Sequence, residues 1–353
     1  MRVLIVHNAV ADGALESDQD TLVQVEVVRE AAVRLGHEVD VLPCTMDLDA
    51  FRASVLQRQP EVAFNLVESL GGSDRLQYIV PGVLDTMGIP YTGAPSDAVF
   101  LTVDKVLAKQ CLRLAGLPTP DWMTLVPPAG LPAVSSRDSS NARGSARHGR
   151  YIIKTMTEHA SFGIDDDLVF ESSGEDDLKQ RLREATARLG KPCLAEQFIE
   201  GREFNVSVLT RGRQDRASGA GAASVCEVLP PAEIDFSKFP AGKPRVVGYR
   251  AKWDADSFEF HHTPRTFEFP ESDKPLLDRL VELSEQSWEV FRLAGHVRVD
   301  FRVDEDGNPW ILEVNVSPCL SPDAGFAAAL ARAGIPFEQA IARILDDTGR
   351  TAG

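Results

Sequence analysis

The stretch HVRVDFRVDEDGNPWILEVNVSP, residues 296 to 318, decides how the rest of the chain is read. Two runs of alternating apolar and polar residues flank Asp306-Gly307, a dipeptide that favours a two-residue hairpin turn. Folding the runs about that turn sets Asp300 opposite Glu313 and Arg298 opposite Asn315, with all four on one face. Val297, Val299, Phe301 and Val303 then share the other face with Leu312, Val314 and Val316, which makes that side a core face. Two carboxylates directly opposite each other repel unless something cationic stands between them. Asp, Glu and Asn offer only oxygen ligands, a set that suits magnesium bridged to phosphates and does not suit zinc. The competing reading is an exposed face on which Arg298 and Arg302 neutralise the acids as surface ion pairs.

Outward from the hairpin, the N-terminal third reads as alternating strands and helices. Residues 2 to 6 form an apolar strand, 21 to 36 a helix ending at Gly36, and 38 to 42 a second strand. A helix over 48 to 56, a strand over 62 to 66, a helix over 76 to 87 and a short strand near Tyr91 continue the pattern, as in a parallel α/β sheet. A helix over 105 to 115 and a strand over 122 to 126 follow. The stretch 127 to 150, rich in Ser, Gly, Pro and Arg, lacks apolar periodicity and reads as a solvated insertion. Beyond it the chain alternates as α+β: a strand from Tyr151, a helix over 175 to 188 stopped near Gly190, strands over 192 to 198 and 204 to 210, a helix over 276 to 293, the hairpin, and a helical tail.

Composition narrows the function. The 353 residues carry 37 Lys and Arg against 53 Asp and Glu, a formal charge of −16 that disfavours nucleic acid and anionic membrane partners. No run of about 18 apolar residues occurs and the apolar start lacks a cleavage pattern, so the expected compartment is the cytoplasm. The five cysteines (Cys44, Cys111, Cys193, Cys226 and Cys319) are scattered without a CxxC pair, which argues against a disulfide framework or a zinc site.

A phosphate-bearing ligand needs cations and backbone donors. No GxxxxGK[ST] loop is present, and SGAGAAS at 218 to 224 is not a complete GxGxxG. Instead Lys154 ends the strand YIIK, and the loop KTMTEHASFG closes at Gly163 with small and polar residues that could fold over phosphates. Lys105 opens a helix after TVD. In GYRAKW the alternation of a strand sets Tyr249, Ala251 and Trp253 on one side and Lys252 on the other. Each lysine alone reads as a solvated surface residue; their combination with the hairpin gives them meaning.

Taken together these segments resemble the ATP-grasp superfamily and, within it, the D-alanine:D-alanine ligase-like carboxylate-amine ligases. The resemblance runs from MRVLIV to about residue 346, interrupted at 127 to 150. GIPYTG followed by VDK resembles the end of the family's first domain, and YIIK with its loop resembles the phosphate-binding loop. LAEQFIEGREFNVSVL resembles the nucleotide hinge, and the hairpin resembles the metal-binding signature. The implied architecture is a parallel α/β domain over 1 to 104, a central α+β subdomain over 105 to 195 and a C-terminal α+β subdomain over 196 to 353, the last two clasping ATP. The implied activity is amide formation through an acyl phosphate, with ATP and magnesium (or manganese), small-molecule carboxylate and amine partners, and a homodimeric assembly.

Residue by residue, the resemblance implies that Lys105, Lys154, Lys252 and Ser161 meet the ATP phosphates. Glu196, Phe198 and Ile199 would lie at the adenine and Glu203 at the ribose. Asp300, Glu313 and Asn315 would hold the metal, and Arg298 would steady developing negative charge. The substrate-facing positions depart from the family. Ala160 stands where a serine is usual, Cys319 replaces a glycine, Ala324 a serine, Trp253 a tyrosine and Glu68 a histidine. These departures point to an amino-acid substrate other than D-alanine, with Glu16, Asp18, Glu68 and Asp74 as candidate partners for a cation. D-alanine:D-alanine ligase itself, a small-molecule phosphotransferase and a non-catalytic ATP-binding module remain the alternatives.

Overall fold

The computed structural model describes residues 1–11, 13, 16–125, 148–159, 166–212 and 226–348, with the backbone alone for 16–18 and 166. Three sheets organise these residues. The first is parallel, in the order β2-β1-β3, with β1 Arg2–Asn8, β2 Glu38–Cys44 and β3 Val62–Leu66. The central β1 and its neighbour β3 are near-continuous apolar strands covered on both faces, while β2 is an edge strand largely open to solvent along its first half. Helices α1 Glu16–Arg34, α2 Leu48–Arg58 and α3 Ile79–Met87 belong to this part, whereas α4 Ser96–Val103 sends its Ala98 and Val99 into the core of the third sheet. Phe51, Val55, Val80 and Leu84 pack against Leu4 and Val6, whereas Val3, Ile5 and Phe64 meet Val28 of α1 together with residues from the end of the chain. The strand expected near Tyr91 is a single parallel bridge to Ala63. The helix expected from residue 76 begins at Ile79, after a 3-10 turn over Asp74–Leu76.

Helix α5, Lys105–Leu114, starts where Asp104 caps it, accepting hydrogen bonds from the backbone N–H groups of Val106 and Leu107. Lys105 is therefore its first helical residue, tied by its own N–H to the carbonyl of Met156 at 2.9 Å. The second sheet runs β4-β7-β5-β6, with β4 Trp122–Thr124, β5 His148–Thr155, β6 Val169–Ser173 and β7 Cys193–Gln197. Helix α6, Glu175–Leu189, covers it through Leu178, Leu182 and Ala185. The expected insertion is shorter than 127 to 150: residues 148 to 150 already pair with β6, and 127 to 147 lie outside the described residues. A border between 195 and 196 would cut β7.

The third sheet carries the path β11-β10-β8-β12-β13, with β9 also paired to β8. Its strands are β8 Arg202–Thr210, β9 Cys226–Val228, β10 Ala232–Ile234, β11 Arg265–Thr266, β12 His296–Val303 and β13 Pro309–Asn315. Two short helices, α7 Tyr249–Trp253 and α8 Phe258–His261, lead into α9 Lys274–Val290, which packs its Leu280, Leu283 and Trp288 under β8 and β12. Lys252 thus sits on a helical turn, not on the expected strand, because the backbone closes at Asp254 N–H to the carbonyl of Arg250. Helices α10 Gly325–Ala333 and α11 Phe337–Asp346 send Phe326, Leu330, Ile341 and Ile344 into the same cluster as Val3, Ile5 and Phe64, so the chain's end buries the first sheet. Among the described residues no helix is long and apolar enough to cross a membrane.

The hairpin β12-β13 departs from its expected register at the tip. The strands stop at Val303 and Pro309, and residues 304 to 308 make the turn, held by the Asp304 carboxylate, which accepts from the N–H of Asp306 and Asn308 and from the Trp310 indole. A bulge between Asp300 and Phe301 pairs Phe301 with Ile311, so Ile311 and not Leu312 occupies the core face. The bulge takes up the residue that the longer turn displaces. Beyond it Asp300 faces Glu313 and Arg298 faces Asn315, as expected.

Candidate active site

Strand alternation on β12 turns Arg298, Asp300 and Arg302 away from the core formed by Val297, Val299, Phe301 and Val303. Arg298 grips Asp300 through both nitrogens of its fork, Nε to Oδ1 at 2.6 Å and Nη2 to Oδ2 at 2.7 Å. Asn205 of β8 donates to Asp300 Oδ1 at 2.8 Å. Burial works against the Arg298 charge, yet Asp300 and Glu313 raise its pKa above the ordinary value. Across the ladder, Glu313 Oε1 accepts from His159 Nδ1 at 3.0 Å and lies 4.0 Å from Lys105 Nζ. Burial pushes Glu313 up, but Lys105, His159 and Lys252 together take its carboxyl well below the usual range. Lys252 is lowered by burial and by Arg298, against the pull of Asp300, Glu313 and Glu203. Asn315 Oδ1 accepts the Ser317 N–H at 2.9 Å.

His159 ties this face to the first part of the chain. Its backbone N–H donates to Asp74 Oδ2 at 2.7 Å, and its Nε2 lies 3.0 Å from the amide nitrogen of Gln77. With Nδ1–H donating to Glu313, Nε2 accepts from Gln77, a tautomer assigned from the network. Sequence reasoning passed over this histidine, whose partners are 82, 85 and 154 residues away. Ala160, Ser161 and Gly163, just beyond it, lie outside the described residues.

A second knot of charge joins α5 to the second sheet. Glu196, 2% exposed, accepts from Lys154 Nζ at 2.6 Å and meets Lys109 Nζ at 2.6 Å with its other oxygen. Burial pushes the Glu196 carboxyl up, but the two ammonium groups bring it below its ordinary value. Lys109, 1% exposed, also donates to Thr119 Oγ1 at 2.8 Å, and burial takes its pKa down to about 8 against the pull of Glu196. Lys105 donates to the carbonyl of Glu158 at 2.7 Å. Lys105 and Lys154 are therefore each held by an oxygen acceptor that a phosphate oxygen could replace. Lys109 was invisible in sequence: four residues after Lys105 on a helix, it reads as one more surface lysine.

Ile199 and Glu203 of the hinge meet at Arg302, which donates to the Ile199 carbonyl at 2.9 Å and to Glu203 Oε2 at 3.1 Å. Burial raises the Glu203 pKa despite Arg302. Phe198 packs with Ile152 and Val169, with Val246 alongside. The Arg150 and Arg302 guanidiniums both stand 5.1 Å from the Phe198 ring centre. At Gly201 a Cβ would fall 2.0 Å from the Val303 carbonyl oxygen, so the hinge runs against the hairpin only because this residue has no side chain.

Toward the first sheet the partners change. Glu68 accepts from Gln24 at 2.9 Å, and burial pushes its carboxyl up to about 7, with Asp20 and Asp74 adding to the rise and His159 opposing it. Asp20 accepts from Ser321 Oγ at 2.6 Å and from the Cys319 thiol at 2.9 Å. Burial and Asp20 push that thiol far up, which leaves it a hydrogen-bond donor and not a nucleophile. Ala324 precedes α10, its N–H bound to the Ser321 carbonyl at 3.0 Å. The buried indole nitrogen of Trp253 has no hydrogen-bond partner among the described residues. Glu16, expected in a loop, is the first residue of α1; its side chain and that of Asp18 lie outside the described set.

The donor set fits a hard cation of modest charge demand. Among the described residues no three His, Cys, Asp or Glu side chains converge as a metal cage. Asp300, Glu313 and the Asn315 amide instead offer a partial, all-oxygen donor set, whose chemistry suits magnesium, a hard cation that shares its ligands with phosphates and water. A groove of about 1110 Å³ between α4 and the end of α9, lined by Tyr78, Phe100, Trp288 and Arg292, holds none of these charged groups.

Comparison with known proteins follows the same lines. The sequence pattern of the family described as "D-ala D-ala ligase C-terminus" matches residues 111–346. An uncharacterized protein, y4sG, of Sinorhizobium fredii is 29% identical over 291 residues, covering 82% of this chain and 75% of that one. The D-alanine–D-alanine ligase of Magnetococcus marinus is 28% identical over 334 residues, covering 94% of each. Among solved structures, the D-alanine–D-alanine ligase of Bacillus anthracis complexed with ATP aligns with a TM-score of 0.68 over 99% of this chain and 97% of that one, at 19% identity. At that identity the likeness speaks for the fold, which is the ATP-grasp architecture.

Proposed function

The chain belongs to the D-ala D-ala ligase C-terminus family, and from that premise we propose that it is an ATP-dependent carboxylate-amine ligase of the D-alanine–D-alanine ligase type, working in the cytoplasm. The observation that carries this reading is the hairpin face, where Asp300 and Glu313 stand on adjacent strands with Arg298 and Asn315 beside them and Lys105 within 4.0 Å. In the proposed reaction a carboxylate oxygen attacks the γ-phosphorus of ATP and ADP leaves. The nitrogen of an amine then attacks the acyl carbon, phosphate departs with its electron pair, and the nitrogen gives up a proton to form the amide.

Each residue has a physical task in this scheme. Lys105 and Lys154 would exchange the Glu158 carbonyl and the Glu196 carboxylate for phosphate oxygens, and Lys252 would join them. Lys109 would keep Glu196 neutralised once Lys154 leaves, since an unpaired buried carboxylate is costly. Asp300, Glu313 and Asn315 would hold magnesium or manganese, which when bound screens the phosphate charge. Arg298, fixed by its fork on Asp300, would face the negative charge that grows on the acyl oxygen without having to reorganise. Phe198, Ile199 and Glu196 would border the adenine, and Glu203 would accept from the ribose hydroxyls. Residues 1–104 would form the first substrate wall and the other two parts would close on ATP, with their border moved past β7 into the hinge.

Two substrate readings follow. The relatives named D-alanine–D-alanine ligase, which align over most of both chains, favour D-alanine on both sides. The other reading, a different amino acid, is supported by Glu68, which carries a carboxylate and an amide partner at the wall where the family's histidine is expected, and by Ala324, which brings no hydroxyl. ADP release measured with magnesium-ATP across D- and L-amino acids, with product masses read in the same samples, tests both. A dimer of D-alanine less one water supports the first, and another amide supports the second. A phosphorylated product with no amide would replace the ligase reading by phosphotransfer, and ATP binding without ADP release from any pair would favour a binding module.

A further inference from the structure

Arg302 lies on the site face of β12, yet it touches neither Asp300 nor Glu313 within hydrogen-bond reach. Its fork is turned toward the hinge. Nε donates to the carbonyl of Ile199 at 2.9 Å, and Nη1 donates to the carbonyl of Arg245 at 2.7 Å and to Glu203 Oε2 at 3.1 Å. The side chain is 4% exposed, and its remaining corner, Nη2, has no hydrogen-bond partner among the described residues. A guanidinium keeps its charge and all its donors at any relevant pH, so a buried N–H without an acceptor costs stability unless a ligand supplies one. Three anchors hold that donor in a fixed direction, beside the Phe198 ring, which packs with Ile152, Val169 and Val246.

We propose that Arg302 reads the base of the nucleotide, its Nη2 donating to an unprotonated ring nitrogen of the purine. The inference rests on the nucleotide site described under the proposed function, and deepens it by naming the residue that sets base specificity. A donor-only group cannot pair with the exocyclic amine of adenine, which itself donates, so the acceptor must be a ring nitrogen. The ribose hydroxyls already have an acceptor in Glu203, which Nη1 holds in place. Because the guanidinium is anchored before the nucleotide arrives, little rotamer freedom is lost when the contact forms.

The test is a single-atom one on the full chain. Dissociation constants are measured by calorimetry, with magnesium, for ATP and for its 1-deaza, 3-deaza and 7-deaza analogues, each of which replaces one ring nitrogen with C–H. One analogue is expected to bind about tenfold or more weakly than ATP, as the loss of a charged hydrogen bond implies, while the other two stay near ATP. Arg302→Met is expected to bind ATP weakly and to lose that discrimination, and Arg302→Lys to regain part of it. The inference is overturned if all three analogues bind the wild-type chain within about twofold of ATP. It is equally overturned if Arg302→Met keeps the wild-type ratios, which would make Arg302 a brace between strands and no more. The wild-type panel decides even where the variants fold poorly. If ATP itself does not bind, the nucleotide site falls and takes this inference with it, an outcome distinct from ATP binding that ignores the deaza substitutions.

Discussion

The two ends of the site carry similar residues in opposite states. At the hairpin and hinge every acid faces a cation: Asp300 has Arg298, Glu313 has Lys105, with a hydrogen bond from His159 besides, Glu203 has Arg302, and Glu196 has Lys109 and Lys154. Between α1, the segment 68 to 77 and the loop 317 to 321, the acids are satisfied by neutral donors, Gln24, Ser321 and Cys319. Against burial, Lys105, His159 and Lys252 take the Glu313 carboxyl well below its usual range and Lys109 and Lys154 bring Glu196 below its own, whereas at Glu68 burial outweighs the single amide bond from Gln24 and pushes the carboxyl up to about 7. In the reading proposed above, the first end would trade one set of charges for another and the second would receive a charge it lacks.

The sharpest break of this contrast is Glu313→Gln. It leaves Lys105 and His159 without their anion, and turnover is expected to fall by at least about a thousandfold with the fold intact by circular dichroism; ADP release near wild type would remove the hairpin from the mechanism. Lys109→Met comes next. It leaves Glu196 with one cation instead of two, and a stability loss of roughly 3 kcal/mol is expected from denaturant unfolding, a change under about 1 kcal/mol showing that Lys154 alone suffices. Glu68→Ala is expected to raise KM for an amino-acid substrate about tenfold while KM for ATP moves little; equal shifts in both would erase the distinction between the two ends.

The smallest effect concerns pH. A carboxyl whose folded pKa is raised binds its proton more tightly in the native state than in the unfolded one, so its stabilisation is present below about pH 4.5 and is lost as pH rises through about 7. Relative to wild type, Glu68→Gln should therefore gain stability between pH 5 and 8, by about 1–3 kcal/mol at the upper end. Melting curves taken in parallel across that range check the sign, and a constant offset between the two proteins would mean that Glu68 titrates normally.

The same contrast explains what could be seen in the sequence. The Asp306-Gly307 turn and the strand period together set Asp300 opposite Glu313, a pairing that survives the longer turn because the bulge takes up one residue, and the lysines gained meaning from that hairpin. Lys109, His159 and Arg302 stayed hidden since their partners are far along the chain: Arg302 meets Ile199 across 103 residues, and nothing in the local pattern distinguishes it from a surface ion-pair partner. Lys252 lies on a helix of five residues, too short for its period to show in a sequence that also fits strand alternation. The substrate wall was legible only as acidic residues; whether Glu68 meets a cation or an amide depends on Gln24, 44 residues earlier.

The bulge at the hairpin has a consequence for how this part of the chain can change over time. Its tip and its working end are out of phase by one residue, and the bulge absorbs the difference, much as an expansion joint lets one end of a bridge lengthen while the other stays put. Turns of varied length can therefore be grafted at 304 to 308 without disturbing Asp300 and Glu313, provided the bulge remains. Removing Leu312 would close the joint: Phe301–Ile311 and Asp300–Glu313 would follow each other as one uninterrupted ladder, with Ile311 still on the core face and Glu313 still on the site face, and only the local kink and extra twist of the bulge would be lost.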